Sequence, residues 1–424
     1  MCTSSTFARL APLVAKKRLG CALLALLPAS HVNAGEILPD DVQIHGFASQ
    51  SFIKTDHNSF FGDSENGSFE YYELGVNGSW APRPDLQFSL QVVARDAGAG
   101  DNGSARVDYG FMDYSFISNA TELWGLRLGR IINPYGFYND TRDVAFTRPS
   151  ILLPQSIYFD SARSLSLSSD GVQLYGEHRS DEGDLLLQLG YARPRTGDIN
   201  FKYDVFRRDV PGKLDGALPS FFARALYETF DSRWRFGVTA ARVNTDYTAR
   251  YPYPTFFPDE ELADLSDGRF LFTPIILSAQ YNSERWTFTS EYAWRKAEFF
   301  DFQDIPDQSF IGESYYLQGT YRITPKWEAF LRYDVLYWDK DDRGGTHWER
   351  DLRRGPYHSA FAKDWSAGVR WDVTENFMLR AEFHNVDGTG WLPVADNPAI
   401  IDPEQWDSIS RRWNLFAMLA SFRF

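Results

Sequence analysis

The chain has 424 residues, 43 of them Lys or Arg against 57 Asp or Glu, for a formal net charge of −14. An acid excess of this size sets it against a nucleic-acid partner, because phosphate backbones are held through basic clusters. Both cysteines, Cys2 and Cys21, lie in the first 34 residues, so removal of that segment would leave no disulfide and no thiolate chemistry.

The first segment carries Arg9, Lys16, Lys17 and Arg18 ahead of the apolar run Leu19 to Leu27, and Val32-Asn33-Ala34 places small residues at a cleavage position. This pattern predicts a secretory signal peptide over 1–34 and a mature domain over 35–424. Cys21 precedes the apolar core where a lipidated cysteine would follow it. The leader holds four basic and no acidic residues, so the mature part has 39 bases against 57 acids, a net charge of −18. No later apolar run reaches the roughly 20 residues that a membrane helix needs.

From there on, hydrophobicity alternates with a period of two. Leu86, Phe88, Leu90 and Val92 share one face while Gln87, Ser89 and Gln91 share the other. The same pattern sets Trp286, Phe288, Tyr292 and Trp294 against Thr287, Thr289, Glu291 and Arg295. About sixteen such segments follow one another, starting near Ile44, Tyr72, Leu86, Val107, Leu123, Val172, Leu185, Phe221, Trp234, Ile275, Trp286, Tyr315, Trp327, Trp365, Phe377 and Trp413. Those near Val107 and Val172 alternate weakly, which leaves counts of fourteen and eighteen open. Aromatic residues make up 16% of a chain whose mean hydropathy is only −0.38. An all-β transmembrane antiparallel barrel accounts for both facts, since alternate residues face lipid and rings gather at its two interfaces. A soluble sandwich or propeller would bury one face in a core and would have no use for rings at both ends of its strands.

Connections alternate in length. Short turns such as 81–85, 118–121, 282–284 and 374–376 separate long loops at 54–67, 131–163, 194–219, 244–269, 296–312, 339–361 and 386–412. Barrels of this kind keep short turns on the periplasmic side and long loops outside, which would place both termini in the periplasm. The loops hold acidic runs such as Asp259-Glu260-Glu261, so whole-chain charge does not decide the charge of an interior.

The loop at 131–163 leaves its strand through Leu128-Gly129-Arg130-Ile131-Ile132-Asn133-Pro134-Tyr135-Gly136. Pro134 and Gly136 force a bend there, and loops of this length are usually functional. That junction resembles the strand-to-loop junction of porins related to the phosphate-selective type, and the last strand, with Phe416, Met418, Ala420, Phe422 and Phe424 on one face, resembles the assembly signal of outer-membrane barrels. The resemblance implies a sixteen-stranded homotrimeric porin of a Gram-negative cell outer membrane. It would give passage by passive diffusion to ions and other small hydrophilic solutes, without a cofactor, among outer-membrane lipids and lipopolysaccharide. It also implies that the loop folds inward as a pore constriction.

On that expectation Arg130, Asp140, Arg142, Asp143 and Arg148 set a transverse field across the opening. A second reading stays open for each, that it pins the loop. Wet-face positions carry Arg95, Arg127, Arg224, Arg235, Glu291, Arg295, Arg332, Asp334, Arg370, Arg380 and Glu382. A lipid-facing charge costs up to about 2–4 kcal/mol near the midplane, so these residues are expected to line a hydrated, ionic lumen. No ladder of lumen lysines accompanies them, yet a channel selective for anionic solutes such as phosphate or carboxylates remains an alternative to a general pore. An enzymatic barrel would need a nucleophile beside an oriented His, and none of the six mature histidines stands in a metal-binding spacing. An adhesin role would concern the loops alone.

Overall fold

The computed structural model describes residues 39–161, 163–197, 199–207, 210, 212–249, 266–302 and 306–424. The expected signal peptide and the acidic run Asp259-Glu260-Glu261 lie outside the described residues. The described residues belong to one unit.

Sixteen strands follow in chain order: β1 Val42–Thr55, β2 Tyr71–Arg83, β3 Leu86–Ala97, β4 Asn102–Ser118, β5 Glu122–Ile132, β6 Ser168–Arg179, β7 Gly183–Pro194 and β8 Gly212–Thr229. Then come β9 Trp234–Ala249, β10 Gly268–Asn282, β11 Trp286–Phe300, β12 Gln308–Thr324, β13 Trp327–Tyr337, β14 Phe361–Asp372, β15 Phe377–Gly388 and β16 Arg412–Arg423. Each pairs antiparallel with its neighbours in sequence, and β1 pairs with β16 from Phe47↔Arg423 to Thr55↔Leu415. Closure removes the free edges that would otherwise leave backbone N–H and C=O groups unpaired in hydrocarbon. The last residue joins in, as Phe424 N donates to Gly46 O at 3.0 Å and Gly46 N donates back at 3.2 Å.

Side-chain alternation follows the expected faces. Leu74, Leu90, Leu128, Leu189, Val238, Leu277, Leu317, Leu331, Val369 and Met418 are exposed on the outside. Rings stack at the short-turn end, where Trp234–Phe236, Trp286–Phe288 and Trp327–Trp371 centroids lie 5.7, 5.5 and 5.2 Å apart. A second set, Tyr191–Phe221, Tyr292–Trp294 and Tyr333–Trp365, marks the long-loop end. These two rows are the girdles expected at membrane interfaces.

Strands that leave a short turn begin within about two residues of their expected starts. Several that descend from the opposite end begin five or more residues earlier than expected: β4 at Asn102, β8 at Gly212, β10 at Gly268 and β12 at Gln308. Their added length stands beyond the lipid belt, where both faces meet water or loops and alternation fades. At that end the connections after β1 and β15 fold over the interior. Phe60, Phe61, Trp391, Leu392, Val394 and Ile400 form a buried cluster with Trp413 and with Ile151 and Leu152 of the long β5–β6 loop. The short helix α1, Arg163–Leu167, ends that β5–β6 loop, and α2, Ile199–Phe206, lies in the β7–β8 loop. No described helix is long and apolar enough to cross a membrane.

Candidate functional site

The β5–β6 loop turns into the barrel where its backbone requires it. Gly136 has φ +57°, and a Cβ there would stand 2.2 Å from the Tyr158 hydroxyl and 2.8 Å from the Glu291 carboxylate. Only glycine tolerates that dihedral and that approach together. The base of the loop is closed by Asn133 N donating to Leu167 O at 3.0 Å, and Asn139 Nδ2 donates to Asn133 O and Ser166 O at 2.9 and 2.7 Å.

From this base the loop is tied to the wall strand by strand. Arg224 on β8 donates to Gly136 O at 2.9 Å and pairs with Asp140. Glu291 on β11 accepts from Phe137 N at 3.1 Å and the Tyr158 hydroxyl at 2.6 Å, and also from Ser278 and Tyr316. Arg295 donates to Ser156 O at 3.2 Å, while Asp334 accepts from Ser156 N at 3.3 Å. Arg332 donates to Ser150 Oγ and Leu152 O at 2.9 and 3.1 Å. Glu382 accepts from both Ile151 N and Leu152 N at 2.8 Å, and His384 bridges Glu382 and Asp364 at 3.1 and 2.7 Å. Arg380 donates to Arg148 O and Arg370 to Phe146 O.

The opposite wall holds the loop through charge. Glu73 on β2 pairs with Arg148 at 2.9 Å, Arg163 at 3.1 Å and Arg95 at 3.5 Å. Asp160 accepts from Arg95 and Arg142 at 3.1 and 3.4 Å, and Arg163 pairs with Asp143. Burial, with Arg95 and Arg142 beside it, pushes the Arg163 guanidinium down to about 9. Such a network is costly to dehydrate and costlier to break, since removal of one partner strands a buried charge.

Arg142, Asp143 and Arg148 thus sit inside the loop's anchorage, and Asp140 stands half-exposed at its margin with Arg224. Arg130 is a correction to the sequence reading. It continues the outward face of Trp124, Leu126 and Leu128 and pairs with Asp170 on β6 at 2.7 Å, outside the lumen. The face assignment failed because Arg130 lies close to the loop-side end of β5, where a charge meets headgroups instead of hydrocarbon.

The hydrated lumen needs correction too. Arg95, Arg224, Glu291, Arg295, Arg332, Asp334, Arg380 and Glu382 point inward but are buried under the loop. Water reaches Arg127, Arg235 and Arg370 only partly. Arg127 donates to Asp113 at 2.8 Å and lies over the Tyr175 ring at 4.5 Å, and Arg235 lies over Phe137 at 4.9 Å. Sequence reasoning passed over Tyr158, Asp160 and Arg163. Their signal was the apolar content of Ile151-Leu152-Leu153 and Ile157-Tyr158-Phe159, which a solvated loop would not carry.

Towards the short-turn end, a narrow cleft opens beneath Pro149, lined by Glu328, Phe330, Arg370, Arg380 and Glu382. Both oxygens of Glu382 are engaged by the loop and His384, and Asp372 takes Arg370 Nε at 2.8 Å. Arg380 Nη1 has no hydrogen-bond partner among the described residues.

Residues 47–391 match the family model described as phosphate-selective porin O and P. No curated protein sequence matches the chain. Among solved structures, the outer-membrane channel DcaP of Acinetobacter baumannii superposes with a TM-score of 0.55 at 12% identity, covering 90% of this chain and 97% of that one. OmpT of Vibrio cholerae gives 0.53 at 10% identity, with 92% and 99% covered. An anion-selective porin from Comamonas acidovorans gives 0.52 at 12% identity, with 90% and 99% covered. At these identities the superpositions bear on the fold alone.

Proposed function

The chain belongs to the phosphate-selective porin O and P family, and on that premise we propose that this outer-membrane channel passes small anionic solutes by diffusion through a path narrowed by the β5–β6 loop. The buried charges hold the loop and largely neutralise one another, so they leave the choice of solute to what lies beside the loop. One observation carries the reading: Arg380 Nη1 is buried without a hydrogen-bond partner at the edge of the cleft that Arg370 also lines, where Glu382 and Asp372 are already engaged and Glu328 is the lining carboxylate left to compete with an incoming anion. A phosphate or carboxylate oxygen is the natural acceptor for such a guanidinium. A wide general pore is the weaker reading, because its wall arginines would stand in water.

Inorganic phosphate added in planar bilayers tests this. It is expected to block chloride current through the wild type, with the block weakened at least tenfold in Arg380→Gln. No block of the wild type, or equal block of the variant, would overturn the assignment.

The chain works as a channel and not as an enzyme, a view supported by His384, whose two ring nitrogens are both taken by carboxylates, Asp364 and Glu382. Residues 1–34 are removed on export. Three copies associate through the outward arc of β1–β4, whose Ala48, Leu74, Val76, Leu90, Val92, Ala94 and Met112 form a largely aliphatic surface suited to a partner barrel. Outer-membrane lipids, lipopolysaccharide among them, surround the remainder.

A further inference from the structure

The outward rim of β5–β7 carries a row of charge just beyond the apolar belt. On β5 the outward residues run Trp124, Leu126, Leu128 and then Arg130, on β6 Leu174, Val172 and then Asp170, and on β7 Leu187, Leu189, Tyr191 and then Arg193. Arg130↔Asp170 and Asp170↔Arg193 are register partners, so the three form one row around the barrel. Arg195 joins the row from just beyond β7. Its Nη1 donates to Val107 O at 3.3 Å, the same carbonyl that takes Arg130 Nη1 at 3.1 Å. Two guanidinium groups therefore converge on one neutral oxygen.

Pairing within the row is incomplete. Asp170 is engaged by Arg130 at 2.7 and 3.3 Å. Arg193 donates to Gly216 O at 2.7 Å, and Arg195 to Val107 O and Ser168 Oγ. Neither of these two has a carboxylate partner among the described residues, which leaves an excess of two positive charges. Repulsion between guanidinium groups so placed is relieved by an anion between them.

Depth identifies the source of that anion. Tyr191 packs on Phe221 at 5.4 Å in the girdle at the long-loop end, and Arg193 lies two residues further out, about 6.6 Å by strand rise. Aromatic rings sit at headgroup level, so the row stands at the height of lipid phosphates. Below it, Leu128, Val172 and Tyr191, and then Leu174 and Leu189, offer an apolar strip to acyl chains, which a free phosphate ion would not use.

We propose that Arg130, Arg193 and Arg195 bind the phosphate groups of an outer-leaflet lipid against the β5–β7 face. The proposal deepens the lipid association put forward above and rests on that reading. Native mass spectrometry of the full folded protein in detergent tests it, with bis-phosphorylated lipid A, its dephosphorylated form and inorganic phosphate as probes. The wild type is expected to retain the bis-phosphorylated lipid, and the Arg193→Gln/Arg195→Gln double variant to bind it at least tenfold more weakly with unchanged conductance. Arg195→Lys, which keeps the charge, is expected to recover most of the binding. Equal retention by the double variant would overturn the proposal, as would equal binding of the dephosphorylated lipid or dependence of inorganic phosphate binding alone on these arginines. Dissociation of the oligomer in the double variant would likewise overturn it, since the row would then be a contact between copies. Heat-modifiable gel migration of the wild type is scored in parallel: its absence would remove the barrel reading itself, separately from the lipid site.

Discussion

Replacement of Glu291 by alanine removes the acceptor on which the inward turn of the loop closes. The carboxylate takes four donors, two from the loop (Phe137 N and the Tyr158 hydroxyl) and two from the wall (Ser278 and Tyr316). In Glu291→Ala the wall hydroxyls can rehydrate and Phe137 N keeps the Tyr158 hydroxyl oxygen as acceptor at 2.7 Å, but the loop keeps its place only with the buried Tyr158 hydroxyl donor unmatched. At about 1–3 kcal/mol for one orphaned donor, the seated loop loses that amount against a displaced one. Since about 1.4 kcal/mol is a factor of ten, the displaced fraction rises by roughly 5-fold to 150-fold. The tethers at Arg224, Arg332 and Glu382 persist, so the segment between Asp140 and Tyr158 loosens while Gly136 and residues 150–152 stay attached. Single-channel recording should then show larger and noisier openings, and trypsin should cut after Arg142, which is buried in the wild type. Wild-type conductance together with an uncut loop would refute the reasoning.

Gly136→Ala should give a milder form of the same phenotype, because its Cβ would collide with the Tyr158 hydroxyl at a positive φ; equal trypsin resistance would count against it. Arg130→Ala should leave conductance and ion preference unchanged, whereas Arg148→Ala, which strips Glu73 of its 2.9 Å partner, should loosen the loop and raise conductance. His358, in the loop before β14, is pushed down to about 4 by burial, with Arg411 adding to the effect. The unfolded chain takes up that proton near 6.5, so the neutral ring's contribution is complete above that pH. It is lost as the pH falls from 6.5 towards 4, by up to about 3 kcal/mol. Protection of the amides in residues 346–361, taken relative to the intrinsic exchange rate at each pH, should therefore fall across that window in the wild type and stay flat in His358→Gln.

The barrel was legible in the sequence because each membrane-crossing residue obeys a one-dimensional rule, lipid on one face and interior on the other. That rule found the segment at Leu86 and the one at Trp286 almost to the residue. It could not see β4 begin at Asn102 or β8 at Gly212, where both faces are wet or covered. The rule also sent Glu291, Arg332 and Glu382 inward correctly, yet it says nothing of what they meet there. Their partners are backbone groups more than a hundred residues away in sequence, such as Ile151 N for Glu382 and Leu152 O for Arg332, and no periodicity encodes such pairs. Arg130 was misplaced by the converse error, as proximity to a loop motif outweighed a parity that Leu126 and Leu128 already stated.

What crosses the membrane while the loop is seated separates an anion path from a general pore. Reversal potential across a bilayer holding the wild-type protein in a KCl gradient, with and without added phosphate, measures this directly. A potential of the sign set by chloride permeation, with the current falling as phosphate is added, is the predicted result. A cation-signed potential, or an ohmic current of general-pore size indifferent to phosphate, would contradict it.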